Sequence, residues 1–219
     1  MRALVLTLLV GGLAIGCQST TKEATQGPAT KAPEQTAKNI PPDKTAGEWV
    51  KVRAANFEME LPKSWVAIDL SRKDFADTLA SLAVDPGMKE QLKLMAQQGI
   101  FKLMAFGPTV TGGFQENVNV NVIPVPEPDL QKVLAGNMEQ LKAVAKNVKG
   151  RIEKNPDRTV IDATMSAQGP DGKVVDYETH AHQIVKAGNL YTVTFSCMLV
   201  NRAATEKMAA HAIGTLKID

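Results

Sequence analysis

The stretch from Asp157 to Val200 leaves this chain few choices of fold. It reads as three antiparallel strands in succession, Thr159–Gln168, Val174–Val185 and Leu190–Val200. Two turns join them, Gly169-Pro170-Asp171-Gly172 and Lys186-Ala187-Gly188-Asn189. Pro-Asp-Gly between strands favours a type I turn closed by a left-handed glycine, a three-residue loop with a bulge. That loop sets Ser166 opposite Asp176, Thr164 opposite Glu178 and Asp162 opposite His180. Side chains alternate between faces along a strand. One face is therefore expected to carry Ile161, Ala163, Met165, Tyr177, Ala181, Val185, Tyr191, Val193, Phe195, Cys197 and Leu199. The other carries Asp162, Thr164, Ser166, Glu178, His180, His182, Thr192, Thr194 and Ser196. The apolar set is the expected core face, and a slip of one residue would bury the polar set instead.

The chain upstream delivers, tethers or packs onto this sheet. Residues 1–17 read as a targeting segment: Arg2, then an apolar run over Ala3–Ile15 that is short for a bilayer span, then a small residue before Cys17. Ala14-Ile15-Gly16-Cys17 resembles a bacterial lipoprotein signal, which implies acylation of Cys17 and a membrane partner through that lipid. Position 18 is Gln and not Asp, so the resemblance implies retention in the outer membrane, facing the periplasm. Residues 18–46 hold Thr, Lys, Gln, Pro, Glu and Ala, with Ile40 the sole large apolar residue. Such a run cannot bury enough surface to offset the entropy of ordering. It reads as a tether, spanning about 30 Å as a flexible coil. Residues 47–219 are then a single domain of ordinary size.

Within that domain Trp49–Arg53, Phe57–Leu61 and Trp65–Leu70 read as short strands. Ser71 is placed as the cap of a helix through Phe75, Leu79 and Leu82. Asp85-Pro86-Gly87 opens a second helix, buried through Met88, Leu92 and Met95 and closed at Gly99. Ile100–Phe106 and Asn117–Val125 are strands, the latter alternating Val118, Val120 and Val122 with an Asn row. The longest helical stripe runs from Pro128 through Leu130, Leu134, Met138, Leu141, Val144 and Val148 to Gly150, followed by a short strand Arg151–Lys154. Asn201 is expected to cap a last helix, Arg202–Ile213, before a short extended tail.

Chemistry-bearing residues are sparse. Basic residues number 25 and acidic ones 23, without a basic stripe, which argues against a nucleic-acid partner. Thr111-Gly112-Gly113 lacks the Lys and Ser/Thr of a phosphate loop, and no cofactor motif is present. Cys197 sits at a core position, where burial disfavours the thiolate. Three classes of function remain. A hydrolase would use Ser196, His180 and Asp162 on neighbouring strands, although no nucleophile-elbow sequence is present. A zinc site would use His180 and His182, two imidazoles on one side of a strand, with Glu178 and Asp162 near. A binding module would use the polar face itself, with Asp162, Thr164, Glu178, His180, His182 and Thr194 as its candidate ligand-binding residues. The preferred reading is a membrane-tethered, non-catalytic interaction domain of the cell envelope with an envelope protein as partner.

Three places carry a family likeness: Phe57-Glu58-Met59-Glu60-Leu61-Pro62-Lys63-Ser64-Trp65, the hairpin from His182 to Phe195 ending in Tyr191-x-Val193-Thr194, and the short terminal helix. Together they resemble the PsbP-like α/β/α sandwich, a group that includes LpqN- and DcrB-type bacterial lipoproteins. The resemblance covers about 49–218. It implies an α+β fold, an antiparallel sheet with helices packed on both sides. It implies accessory and binding roles and supplies no catalytic residue.

Overall fold

A computed structural model describes residues 48–219 apart from 76, 78, 80–85, 112–113, 126–128, 155–156 and 169–171. The expected signal segment 1–17, its Cys17 and the tether 18–46 lie outside the described residues, as does most of the Pro-Asp-Gly loop.

The elements run β1 (Trp49–Ala54), β2 (Phe57–Pro62), β3 (Val66–Asp69), α1 (Pro86–Gln98), β4 (Phe101–Thr111), β5 (Phe114–Pro124) and α2 (Leu130–Lys142). They continue as β6 (Lys146–Glu153), β7 (Arg158–Gln168), β8 (Val174–Lys186), β9 (Asn189–Met198), a 3-10 turn (Leu199–Asn201), α3 (Arg202–Thr215) and β10 (Lys217–Ile218). Seven strands form one antiparallel sheet in the order β3-β4-β5-β9-β8-β7-β6, and β1-β2-β10 form a small second sheet. The small sheet and α3 cover the centre of one face, packing Phe57, Met59, Leu61, Met208 and Ala212 against Leu103, Val118, Val120, Tyr191, Val193 and Phe195. On the opposite face α1 packs Leu92 and Met95 against Met104 and Phe106. There α2 places Leu134, Met138 and Leu141 over Ile161, Met165 and Ala181. The expected α+β fold, an antiparallel sheet with helices on both sides, is the observed one.

The β7–β8 register is as the loop predicts: Asp162 pairs with His180, Thr164 with Glu178 and Ser166 with Asp176. The next strand is not. Ala187 and Gly188 both take positive φ, 49° and 72°, the geometry of a two-residue hairpin turn. Lys186 therefore pairs with Asn189, Ile184 with Tyr191, His182 with Val193 and His180 with Phe195. Paired residues share a face, so Tyr191, Val193 and Phe195 lie with His180 and His182, while Ile161 and Ala181 lie behind them. Thr192, Thr194 and Ser196 point the other way. Residues Leu190–Cys197 are all buried, because this strand is central and covered on both sides. Its apolar and polar sets both face protein, and alternation alone does not say which face is which.

Two helix expectations also change. Helix α2 stops at Lys142, and the residues beyond it form β6 from Lys146. Gly150 is in the middle of that strand and not past a helix end: Met138 Sδ and Leu134 Cδ1 come so close that a Cβ there would stand 2.6 and 2.7 Å from them. The cap of α2 is Asp129, whose carboxylate accepts from the backbone N–H of Gln131 and Lys132. The expected helix through Phe75, Leu79 and Leu82 lies largely outside the described residues; the Ser71 hydroxyl at its expected start donates to Asp69 at 2.5 Å and accepts from the backbone N–H of Ala55. Asn201 makes no capping bond with its side chain.

A cleft between two tryptophans, and a polar face closed by ion pairs

The expected ligand-binding face divides in two. Asp162, Thr164, Glu178, His180 and His182 do share a face, but Thr194 is behind the sheet, paired with Asn119 and Ala181. Ser196 is behind it as well, so it does not stand beside His180 and Asp162, and the expected nucleophile set is not assembled. What remains on the front is an ion-pair network. Asp162 holds His180 Nδ1 and accepts from Arg151 Nη1 at 2.9 Å. Arg202, at the start of α3, reaches Glu178 at 3.2 Å and Glu206 at 2.8 Å. Asp162 is partly desolvated, which alone would raise its carboxyl, yet the His180 and Arg151 partners outweigh burial and hold it below the usual range. The space between these groups is about 10 Å³, too small for a ligand.

His182 is not surface. It is 3% exposed, between Val160 and Val193 on the neighbouring strands, edge-on to His180 and Phe195. Neither ring nitrogen has a hydrogen-bond partner, and burial pushes the imidazole down to about 3. A neutral ring in an apolar slot is a space-filling residue. Among the described residues no three His, Cys, Asp or Glu side chains converge as a metal site would need. Burial likewise pushes the Cys197 thiol up to about 11.

Behind the sheet, β5 and β9 contribute a neutral polar row. Asn117 pairs with Ser196, Asn119 with Thr194 and Asn121 with Thr192. All are buried, which corrects the expectation that Thr194 lies on an open face. One end of the row is tied to α2: Gln183 accepts from Asn137 at 3.0 Å and from Thr159 at 2.8 Å. At the other end the Asn119 amide and the Thr194 and Ser196 hydroxyls have no partner.

A sizeable opening lies on the front, beside α3. A cleft of about 390 Å³ is lined by Trp49, Pro62, Trp65, Glu116, Lys207 and Met208, with Ser64, Pro108, Ala204 and Thr205 completing it. That volume is within the ~300–1,000 Å³ of ligand pockets. Five segments build it. Trp49 opens β1 and stacks on His211 of α3, ring centroids 3.7 Å apart, with His211 Nε2 and Glu60 2.9 Å apart. Trp65 closes a tight turn, its backbone N–H donating to the Pro62 carbonyl at 2.9 Å. Its indole lies against β4, where a Cβ at Gly107 would meet the ring at 3.2 Å; a glycine there is what lets the ring approach. Glu116 precedes Val118 by one pleat on β5. Its carboxyl is hydrogen-bonded to Asn201, and burial still raises it above the usual range. Its Oε1 is buried with no partner. Asn201 thus serves Glu116 in place of the expected helix cap.

None of these cleft residues was named a site residue from the sequence, where Pro62, Ser64 and Trp65 served only the family likeness. The signal available was the tryptophans themselves: the chain has two, and both line this opening.

No family model matches the chain, and no curated relative matches it. Solved structures of similar layout include LpqN of Mycobacterium tuberculosis, described as involved in cell envelope biogenesis. It is 10% identical, with 78% of this chain and 90% of that chain covered and a TM-score of 0.43. Cyanobacterial PsbP of Synechocystis is 13% identical over 75% of this chain and 87% of that one, with a TM-score of 0.41. The Ran-binding protein Mog1p of Saccharomyces cerevisiae is 8% identical over 78% and 95%, with a TM-score of 0.47. LpqN and PsbP are the types that the sequence resemblance names, and at these identities the likeness concerns the fold alone.

Proposed function

We propose that this chain is a lipid-anchored domain of the cell envelope that works by binding and not by catalysis, and that it binds in the Trp49–Trp65 cleft. The observation that carries the reading is the cleft: a ligand-sized, largely apolar opening with a buried, unpaired carboxyl oxygen of Glu116 in its wall. Two features weigh against catalysis. The hydroxyl, imidazole and carboxylate that the sequence offers as a triad are split across the sheet, and the Cys197 thiol is held protonated. The address rests on the Cys17 signal. Outer-membrane retention facing the periplasm belongs to the same reading.

Photo-crosslinking in the native envelope tests it. A photoreactive side chain at Ser64, on the cleft wall, should give a discrete adduct that the same group at Lys93, on exposed α1 behind the sheet, does not. Equal labelling from both positions would overturn the assignment of the cleft.

A further inference from the structure

Granting that the cleft is the binding site, its chemistry specifies the class of ligand. We infer that the cleft takes an organic ammonium ion with an apolar body, the cation seated against Glu116 and the body between the two indoles.

The argument starts from Glu116. A carboxylate oxygen buried without a partner is costly unless a proton or a cation reaches it. Among the described residues no Lys or Arg forms an ion pair with Glu116. Arg202, at the start of the same helix, is committed to Glu178 and Glu206. Lys207 lines the cleft but is exposed and, among the described residues, makes no ion pair there. Asn201 fixes the carboxyl from one side, so the free Oε1 is held in a set orientation. The walls suit the same ligand. Indole faces attract cations, more strongly when water is excluded, and Pro62, Pro108 and Met208 supply contact for hydrocarbon. A neutral ligand would leave Glu116 uncompensated, and an anion would face its charge. Burial raises the carboxyl's affinity for protons, and a bound ammonium would compete for the same oxygen. Lys207 works in the opposite sense, since its charge at the mouth repels a monovalent cation.

The two tryptophans make the test direct, because every indole N–H signal in the chain comes from the cleft. The probes are benzylammonium, its neutral counterpart benzyl alcohol and the anion benzoate, each titrated into the 47–219 domain and into the full chain. Expected is saturable movement of both indole signals with benzylammonium at the lowest concentration. Glu116→Gln should weaken benzylammonium about tenfold, the loss of a charge-assisted contact, and leave benzyl alcohol unchanged. Lys207→Ala should tighten benzylammonium. If benzyl alcohol or benzoate binds wild type as tightly as benzylammonium, the ammonium assignment is wrong while the cleft remains a binding site. If Glu116→Gln, with its spectrum otherwise intact, binds benzylammonium like wild type, the seat at Glu116 is wrong. If no probe moves either indole, the cleft reading itself fails.

Discussion

His182 gives the fold an acid limit that can be worked out from its surroundings. The ring is buried between Val160, Val193 and Phe195, and the charged groups nearest in effect are His180, Arg158, Glu153 and Arg151. Burial is the largest cause of its depressed affinity for protons, down to about 3, with the electrostatic influence of neighbouring His180 next. An unfolded histidine titrates near about 6.5. Between these values the unfolded chain binds a proton that the folded chain refuses, so stability rises with pH there and falls on acidification. Integrating over that window, the group costs about 2 kcal/mol between pH 7 and pH 5, and about 3 kcal/mol by pH 4. His182→Leu removes the titration and fills the slot with a side chain of similar size. It also removes two ring nitrogens that lack partners, so at pH 7 the variant should equal or slightly exceed wild type in stability. The assay is urea denaturation with linear extrapolation at pH 7, 6 and 5. Other ionisable groups cancel in the difference between the proteins. The gap in favour of the variant should widen by about 2 kcal/mol on going to pH 5. Parallel stability curves for the two proteins would refute the reasoning, as would a His182 ring that protonates near pH 6 in an NMR titration of the folded protein.

Asp162→Asn removes the carboxylate shared by His180 and Arg151. Because the folded-state carboxyl is held low, its contribution is present above about pH 4 and lost as pH falls through the folded value. The variant should lose about 1 kcal/mol at neutral pH and show a flatter acid limb; urea melts at pH 7 and pH 3 measure both. Gly150→Ala forces a methyl against Met138 and Leu134, both of which can shift at their tips, so the expected loss is about 1 kcal/mol of overpacking strain, read in the same assay. A wild-type midpoint would show that α2 does not press on β6 there. Cys17→Ser should abolish incorporation of a fatty-acid probe, because the thioether needs the thiol, and equal labelling of the two proteins would remove the anchor from the functional reading.

The parts legible in advance were those fixed by local chemistry. The pairing of Asp162 with His180 followed from turn residues and the two-fold period of a strand, and it held over the whole β7–β8 ladder. The next ladder failed at one point. Lys186-Ala187-Gly188-Asn189 closes as a two-residue turn through a positive φ at Ala187, a residue without special preference for it. With β9 buried on both sides, nothing in its alternation signals the error, and Thr194 and Ser196 went to the wrong face with it. The end of α2 was misjudged for a related reason. Val144 and Val148 continue the helical stripe of Leu134 and Leu141, but here they belong to the bend and strand that pass beneath the helix. The cleft was illegible because its walls come from β1, the turn after β2, β4, β5 and α3. No spacing within one segment relates Trp49 to Trp65, Glu116 and Met208, and only tertiary packing brings them together.

The small sheet has a mechanical consequence. The described residues begin at Glu48, whose carbonyl accepts from the Lys63 N–H at 2.9 Å and whose carboxylate meets Lys63 at the surface. The next pair inward is Trp49 with Pro62, at the open end of the β1–β2 hairpin, and among the described residues β1 has no strand neighbour on its outer side. A pull arriving along the chain at Glu48 therefore loads these rungs one after another, as a zipper is drawn, and not all at once. The first rungs to part carry Trp49 and Pro62, two walls of the cleft. The far end of the same small sheet is stitched down separately: Asp219 bonds to Asn56 and Arg53, and Lys186 donates to the Ile218 carbonyl. On the proposed reading, with a tether before Glu48 and a ligand in the cleft, tension on the N-terminal side would open the cleft while the seven-stranded sheet and its helices stayed folded, coupling grip on the ligand to strain on the tether.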